Sequence, residues 1–179
     1  GGSIHFSTSM LFALGFVALF IVGGLSGVSH AVAPSDAQQQ DTYYIVAHIH
    51  YVLFGGSIFG IFAGIYYWGP KFTGRMLGEK LGKLHFWLMF IGMNITFFPM
   101  HFVGMNGMPR RVFTYPADSG FEIYNVISSL GYVLLFVSTL VFMVNYLRSA
   151  RKELDAGPDP WDGPGLEWSI SSPPPAYNF

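Results

Sequence analysis

The sequence has no cysteine and few charged side chains. Charged residues make up 11% of its 179 residues, whereas a soluble domain usually carries about 25%. The lack of cysteine excludes a disulfide scaffold, a thiolate zinc site and the CxxCH attachment of a c-type haem, so histidine is the only strong nitrogen ligand left for a haem or transition metal. The net charge of −1 gives no reason to expect a nucleic acid partner.

Apolar residues are abundant, at 51% of the chain, and they form long runs. Four runs, at about 10–33, 43–68, 84–105 and 121–147, are long enough to cross a lipid bilayer as helices. None alternates as a membrane β-strand would. We therefore predict an all-α membrane protein with a four-helix segment over residues 1–150. Residues 151–179, rich in proline and glycine, are expected to form an extended tail without structure of its own.

The basic residues are distributed unevenly between the loops. Seven of the nine lie between the second and third runs or after the fourth: Lys71, Arg75, Lys80, Lys83, Arg148, Arg151 and Lys152. The positive-inside tendency assigns that side to the cytoplasm, which leaves Arg110 and Arg111 as an exception on the outer side.

The first methionine, Met10, already lies within an apolar run, and no signal peptide pattern precedes it. We expect the chain to be part of a longer protein.

Two histidines, His48 and His50, lie close together in the second run, in the stretch AHIHYV. In a helix, two residues turn through about 200°, so the two rings leave from opposite sides and need different partners. Imidazoles within a membrane are costly unless paired, and they are common axial ligands of haem iron. A helix between two haems fits this pattern. The alternative is that each ring hydrogen-bonds a neighbouring helix, and a structural role is expected for the other histidines, which are His5, His30, His85 and His101.

Charged residues near the outer ends of the runs are further candidates. Asp41 precedes the second run and is either a helix cap or an oxygen ligand of magnesium, to which neighbouring glutamines such as Gln40 could add carbonyl oxygens. Asp36 is either solvated or the partner of a buried acid or base. Arg110 and Arg111 are either solvated or bind carboxylates such as haem propionates.

The stretches DTYYIVAHIHYVLFGG (41–56) and HFWLMFIGMNITFFPMHFVGMNGMPRR (85–111) closely resemble subunit I of the haem–copper oxidases. The DTYY stretch is similar to the cytochrome c oxidase branch, and the ending LEWSISSPPPAYNF is similar to bacterial members. The resemblance implies that the four runs correspond to the last four of the twelve helices of subunit I in an aa3-type enzyme. It implies a bacterial plasma membrane protein, with the loop of Arg110 and Arg111 periplasmic and the lysine- and arginine-rich loops and tail cytoplasmic.

The family implies a role for each histidine. The residue matching His48 is the proximal ligand of the high-spin haem a3, and the residue matching His50 is a ligand of the low-spin haem a. Such an enzyme reduces oxygen to water with electrons from cytochrome c and pumps protons. The copper B ligands belong to the N-terminal part of subunit I, outside this chain, so we expect the chain to be inactive alone. That part, subunits II and III, cytochrome c and the lipid bilayer are the implied partners.

The family also implies roles for the charged residues. Asp41 matches a magnesium ligand, Arg110 and Arg111 match a pair that binds haem propionates, and Asp36 matches an acidic residue near the propionates of the high-spin haem. The chain departs from the family at Gln40, a position where a histidine is common. This departure weakens the magnesium prediction. Two other functions stay open from the sequence: a non-catalytic membrane haem protein that carries electrons, and a plain helical scaffold or transporter segment.

Overall fold

Six α-helices account for most of the structure, a computed structural model that describes residues 4–177. They are α1 (Thr8–Ala31), α2 (Ala33–Gln39), α3 (Tyr43–Leu53), α4 (Phe59–Thr73), α5 (Glu79–Met105) and α6 (Glu122–Ser149). A π-helical segment, Phe54–Ile58, joins α3 to α4 without a break. Residues 4–177 contain no β-strand, only an isolated bridge between Thr42 and Pro109.

Four of these helical stretches are long and apolar enough to cross a membrane: Thr8–Ala31, Tyr43–Thr73, Glu79–Met105 and Glu122–Ala150. The predicted fold class is therefore confirmed, with helix ends that differ from the expected ones by up to five residues. Local capping accounts for two of the starts. The Ser7 side chain accepts a hydrogen bond from the amide of Met10 at the start of α1, and Thr42 does the same for Tyr44 at the start of α3.

The connection between the first two membrane helices is not an open loop. Residues 33–39 form the short helix α2, with Pro34 in its first turn, where a missing amide hydrogen costs no hydrogen bond. The sequence PSDAQQQD has no apolar face, so its helical structure was not apparent from hydrophobic periodicity. This helix places Asp36 beside the end of α1.

The helices enclose an apolar core rich in aromatic rings. α1 packs against α3 and α4, and α5 packs against α3 and α6. The buried core side chains are Phe12, Leu19, Tyr51, Phe59, Tyr66, Phe86, Met89, Met93 and Phe97. A Cβ atom built on Gly104 would collide with the backbone of Tyr44, so glycine allows α5 to approach the first turn of α3 closely.

The C-terminal tail, expected to be extended and without structure of its own, packs against α4 in the part described, residues 151–177. It contains a 3₁₀ turn at Leu166–Ser169, and its Trp168 is buried. The ammonium group of Lys71, itself buried in α4, donates to the backbone carbonyls of Pro158 (3.0 Å) and Ile170 (2.7 Å). The indole of Trp161 donates to the carbonyl of Tyr67 at 2.8 Å. The tail is therefore packed against the end of α4, while residues 178–179 of the predicted tail lie outside the described residues.

Candidate functional site

His48 lies on the side of α3 that faces α1. Its Nδ1 lies 3.0 Å from the carbonyl oxygen of Gly23 and 2.9 Å from Oγ of Ser26. A carbonyl oxygen can only accept, so this hydrogen bond requires the proton to be on Nδ1. The lone pair of Nε2 is then available, and among residues 4–177 no side chain or carbonyl hydrogen-bonds this atom.

His50 contacts α5, on a different side of α3 from His48. Its ring stacks on Phe97 of α5, with ring centroids 4.2 Å apart and planes 13° apart. Its Nδ1 donates to the carbonyl oxygen of Val46, one turn earlier in the same helix, at 2.7 Å. The structure describes no hydrogen-bond partner for its Nε2 within residues 4–177. As their spacing predicts, the two histidines of one helix address different sides.

Each imidazole therefore has the hydrogen-bond arrangement that is usual for a metal-binding histidine. Such a ring almost always donates its second N–H to a carbonyl or carboxylate, which fixes the tautomer and directs the other nitrogen at the metal. Here the two donors are directed at Gly23 and Val46, and both Nε2 atoms have a free lone pair. The donor set fits two haem irons, one on each side of α3.

His30, at the end of α1, is close to this site. Its ring packs edge-on against that of His48, with centroids 5.0 Å apart. Its Nδ1 lies 3.3 Å from Oδ1 of Asp36 on α2. Of the two alternatives for Asp36, solvated residue or partner of a buried group, the structure favours the second. Its role toward a propionate stays a prediction.

Arg110 and Asp41 form an ion pair at the end of the helix bundle where α3 begins. Nη2 and Nε of Arg110 lie 2.5 Å and 2.8 Å from the same oxygen, Oδ1 of Asp41. Two backbone hydrogen bonds support the pair: the amide of Arg110 donates to the carbonyl of Asp41, and the amide of Tyr43 donates to that of Met108. The loop after α5 is thereby fixed to the start of α3.

The residues predicted to bind magnesium do not form a complete site. Oδ1 of Asp41 is occupied by Arg110, so this side chain has one free carboxylate oxygen. The side chain of Gln40 is exposed and makes no hydrogen bond within residues 4–177. The described residues contain no group of three histidine, aspartate or glutamate side chains that could hold a metal ion. Residues 4–177 alone therefore do not supply a complete set of ligands for magnesium.

Arg111 is exposed and has a left-handed backbone conformation, with φ of 65°. Within the described chain it forms no salt bridge, whereas its neighbour Arg110 does. The two adjacent arginines are thus not equivalent. The guanidinium of Arg111 is available for a carboxylate, and that of Arg110 already has one.

Sequence reasoning missed two side chains that determine how the histidines are held. Ser26 was not considered, although a hydroxyl in an apolar helix often indicates a polar contact across the interface. Phe97 is one of the 18 phenylalanines of an apolar chain. Nothing in the sequence distinguishes it from the neighbouring Phe98, which is about half exposed and contacts neither histidine.

Comparison with known proteins identifies the family. The family model described as cytochrome c and quinol oxidase polypeptide I matches residues 1–134, about three quarters of the chain. The chain belongs to this family. Curated relatives among these oxidases include cytochrome c oxidase subunit 1 of Thermostichus vulcanus, 52% identical over 179 residues, and that of Bacillus subtilis (strain 168), 47% identical over 180 residues. The putative cytochrome c oxidase subunit 1-beta of Streptomyces coelicolor is 51% identical over 180 residues.

These alignments cover 99–100% of this chain but only 29–32% of each relative. The chain thus spans about a third of the length of the curated oxidase subunits it matches. A chain of a heme-copper terminal oxidase dimer solved by cryo-electron microscopy superimposes with a TM-score of 0.71 at 23% identity, over 82% of this chain and 27% of that chain. The fold is that of a helical membrane segment of this family, and the chain is an integral membrane protein.

Proposed function

We propose that the chain is the C-terminal portion of the catalytic subunit of a respiratory terminal oxidase, which reduces oxygen to water with electrons from cytochrome c and pumps protons. One observation carries the proposal. Two histidines on one helix each donate Nδ1–H to a backbone carbonyl and keep Nε2 free on different sides of that helix. His101, for which a structural role is expected, also has its Nδ1 near a carbonyl of its own helix. The weight of the observation therefore rests on two such rings only two residues apart on one helix, facing different neighbouring helices.

The two histidines would hold two different haems. His48 is proposed to bind the high-spin haem a3 and His50 the low-spin haem a, an assignment that follows the family resemblance. When bound, the haems would supply oxygen binding at the first site and electron transfer at the second. The chain itself would contribute the ligand nitrogens. Ser26 and the carbonyl of Gly23 would keep the His48 ring oriented by their contacts with Nδ1.

The charged residues at the same end of the bundle would bind the propionates. Arg111, free of ion pairs within residues 4–177, offers a bidentate guanidinium, and Arg110 retains the donors of its Nη1. Asp36 would lie near the propionates of the high-spin haem, because His30 connects it to His48. Asp41 could supply at most one oxygen to magnesium, so the other ligands would come from outside this chain.

Several components of the proposed enzyme lie outside the chain. The copper B ligands and the second ligand of the low-spin haem would belong to the remaining part of subunit I, and subunits II and III would complete the complex. We place the loop with Arg110 and Arg111 on the periplasmic side of a bacterial plasma membrane, and the basic loops and tail on the cytoplasmic side. The unequal distribution of basic residues supports this orientation.

Spectroscopy of the purified complex that contains this chain tests the proposal. We expect a pyridine haemochrome of haem a, a reduced-minus-oxidised spectrum with a low-spin component, and a carbon monoxide difference spectrum from a second haem. A preparation that contains haem but does not bind carbon monoxide would instead indicate an electron carrier. A complex without haem would contradict the haem-binding role altogether.

A further inference from the structure

The stacking of His50 on Phe97 is the tightest ring contact of either candidate ligand. The ring centroids are 4.2 Å apart and the planes are 13° apart, so the phenyl ring covers one face of the imidazole. Phe97 is itself almost fully buried and also contacts Phe54. It therefore has little room to follow a rotation of the histidine. His48 has no such contact, since its ring neighbour His30 meets it at 64°.

A polar contact one residue along α3 holds the two helices in register. The hydroxyl of Tyr51 donates to Oδ1 of Asn94 at 2.8 Å, and Nδ2 of Asn94 donates to the carbonyl of Phe90 in its own helix. Asn94 lies three residues before Phe97, one turn away on the same side of α5. The position of the phenyl ring relative to His50 is therefore determined by the interface, not by Phe97 alone.

We propose that Phe97 is a positioning residue that fixes the plane of the His50 imidazole. The hydrogen bond from Nδ1 to Val46 restrains one edge of the ring. The parallel phenyl ring prevents rotation about the bond from Cβ to the ring, because any such rotation would drive the imidazole into the phenyl face. The inference rests on the proposed role of His50 as a ligand of the low-spin haem.

The plane of an axial imidazole has a measurable consequence. In a low-spin ferric haem, the orientation of the ligand planes sets the splitting of the iron d orbitals, and the g values in electron paramagnetic resonance report that splitting. A ring held in one plane gives one narrow set of g values. A ring released from its neighbour adopts a range of planes, so the g values shift or broaden even though the nitrogen still binds iron.

The experiment compares Phe97→Leu with Phe98→Leu in the full oxidase complex. Phe98 is the matched control, because it is the next residue of α5, is about half exposed and does not contact His50. For Phe97→Leu we expect the low-spin haem absorbance to be retained and its largest g value to shift or broaden. Phe98→Leu should give the native spectrum, and Phe97→Tyr, which keeps the ring, should remain close to it.

Two results would overturn the proposal. One is a native set of g values in Phe97→Leu, and the other is an equal change in Phe97→Leu and Phe98→Leu. Should the leucine variant fail to assemble, Phe97→Met provides the same comparison with a flexible side chain of similar volume that adapts more readily to the space. Failure of the proposed function is recognised separately, by retention of the low-spin haem in His50→Ala.

Discussion

Arg110 directs two nitrogens at a single oxygen of Asp41, at 2.5 Å and 2.8 Å, and leaves the other carboxylate oxygen free. The two residues are 69 positions apart, in the loop after α5 and directly before α3. Their contact, with two backbone hydrogen bonds beside it, fixes the start of the helix that carries both histidines. A residue expected to bind a propionate and a residue expected to bind magnesium thus contact each other.

The first prediction separates the two arginines. Arg110→Gln and Arg111→Gln should each lower a haem midpoint potential, because a nearby cation stabilises the state with more electrons. One unit charge about 10 Å away at an effective dielectric constant of about 20 is worth about 1.7 kcal/mol, or about 70 mV. Only Arg110→Gln should also lower the thermal stability of the complex, since it breaks the ion pair with Asp41. Redox titration and a melting curve of both variants measure the two effects.

If the loop that carries the two arginines is merely solvated, the haem midpoint potentials should not change. Potentials that stay native in both arginine variants would show that neither guanidinium lies near a propionate. Lys80→Gln is a suitable control, because Lys80 is an exposed cation that forms no salt bridge among residues 4–177.

The second prediction concerns the free oxygen of Asp41. If that oxygen binds a divalent ion together with ligands from outside the chain, cells grown with manganese should yield a complex with a bound Mn²⁺ spectrum in electron paramagnetic resonance. Asp41→Asn removes the charge that a hard cation requires and should abolish or alter this spectrum. Gln40→Ala should leave it unchanged, because the Gln40 side chain points to solvent in this structure. A native manganese spectrum in Asp41→Asn would mean that Asp41 serves only Arg110.

The membrane helices and the two-sided histidine pair followed from the sequence because both depend on local rules. Length and hydropathy predict helices, and a helix turns by a fixed angle per residue. The partners of the rings did not follow, since they lie on other helices. Nothing in the sequence links Phe97 to His50, or Gly23 to His48, because those contacts depend on how α1 and α5 cross α3.

The C-terminal tail also has contacts that could not be predicted from its composition. Its proline and glycine content correctly indicates that no long helix forms. Composition does not show that Trp168 finds a buried site or that a lysine 97 positions earlier lies 5.2 Å from the centre of its ring. The apolar run at 43–68 leaves Lys71 in the basic loop that follows it, although the residue lies within α4 and is buried, with its ammonium group against backbone carbonyls.

The third prediction is that Lys71 anchors the tail. Lys71→Met keeps the length and apolar part of the side chain but removes the ammonium group, which leaves the carbonyls of Pro158 and Ile170 without their donor. A hydrogen bond to a charged group is worth about 1.5–3 kcal/mol, so the tail should be released more often. Limited proteolysis should cut Lys71→Met faster within residues 151–177 and leave Lys80→Met at the native rate. Equal rates in all three proteins would contradict the anchoring role.

The last prediction is that loss of His48 and loss of His50 have different consequences. His48→Ala removes the proposed protein ligand on the α1 side, so carbon monoxide binding and oxygen reduction should be lost while the low-spin absorbance remains. His50→Ala removes a ligand on the α5 side, so the low-spin absorbance should disappear and electron delivery should fail, while carbon monoxide still binds. The rings cannot share one iron, because one contacts Gly23 of α1 and the other stacks on Phe97 of α5. His85→Ala is the control for a buried histidine, since its ring lies in an aromatic cluster with Phe12 and Phe62, away from both. Identical spectra in His48→Ala and His50→Ala, or full haem content in both, would show that the two histidines only pack the helix bundle.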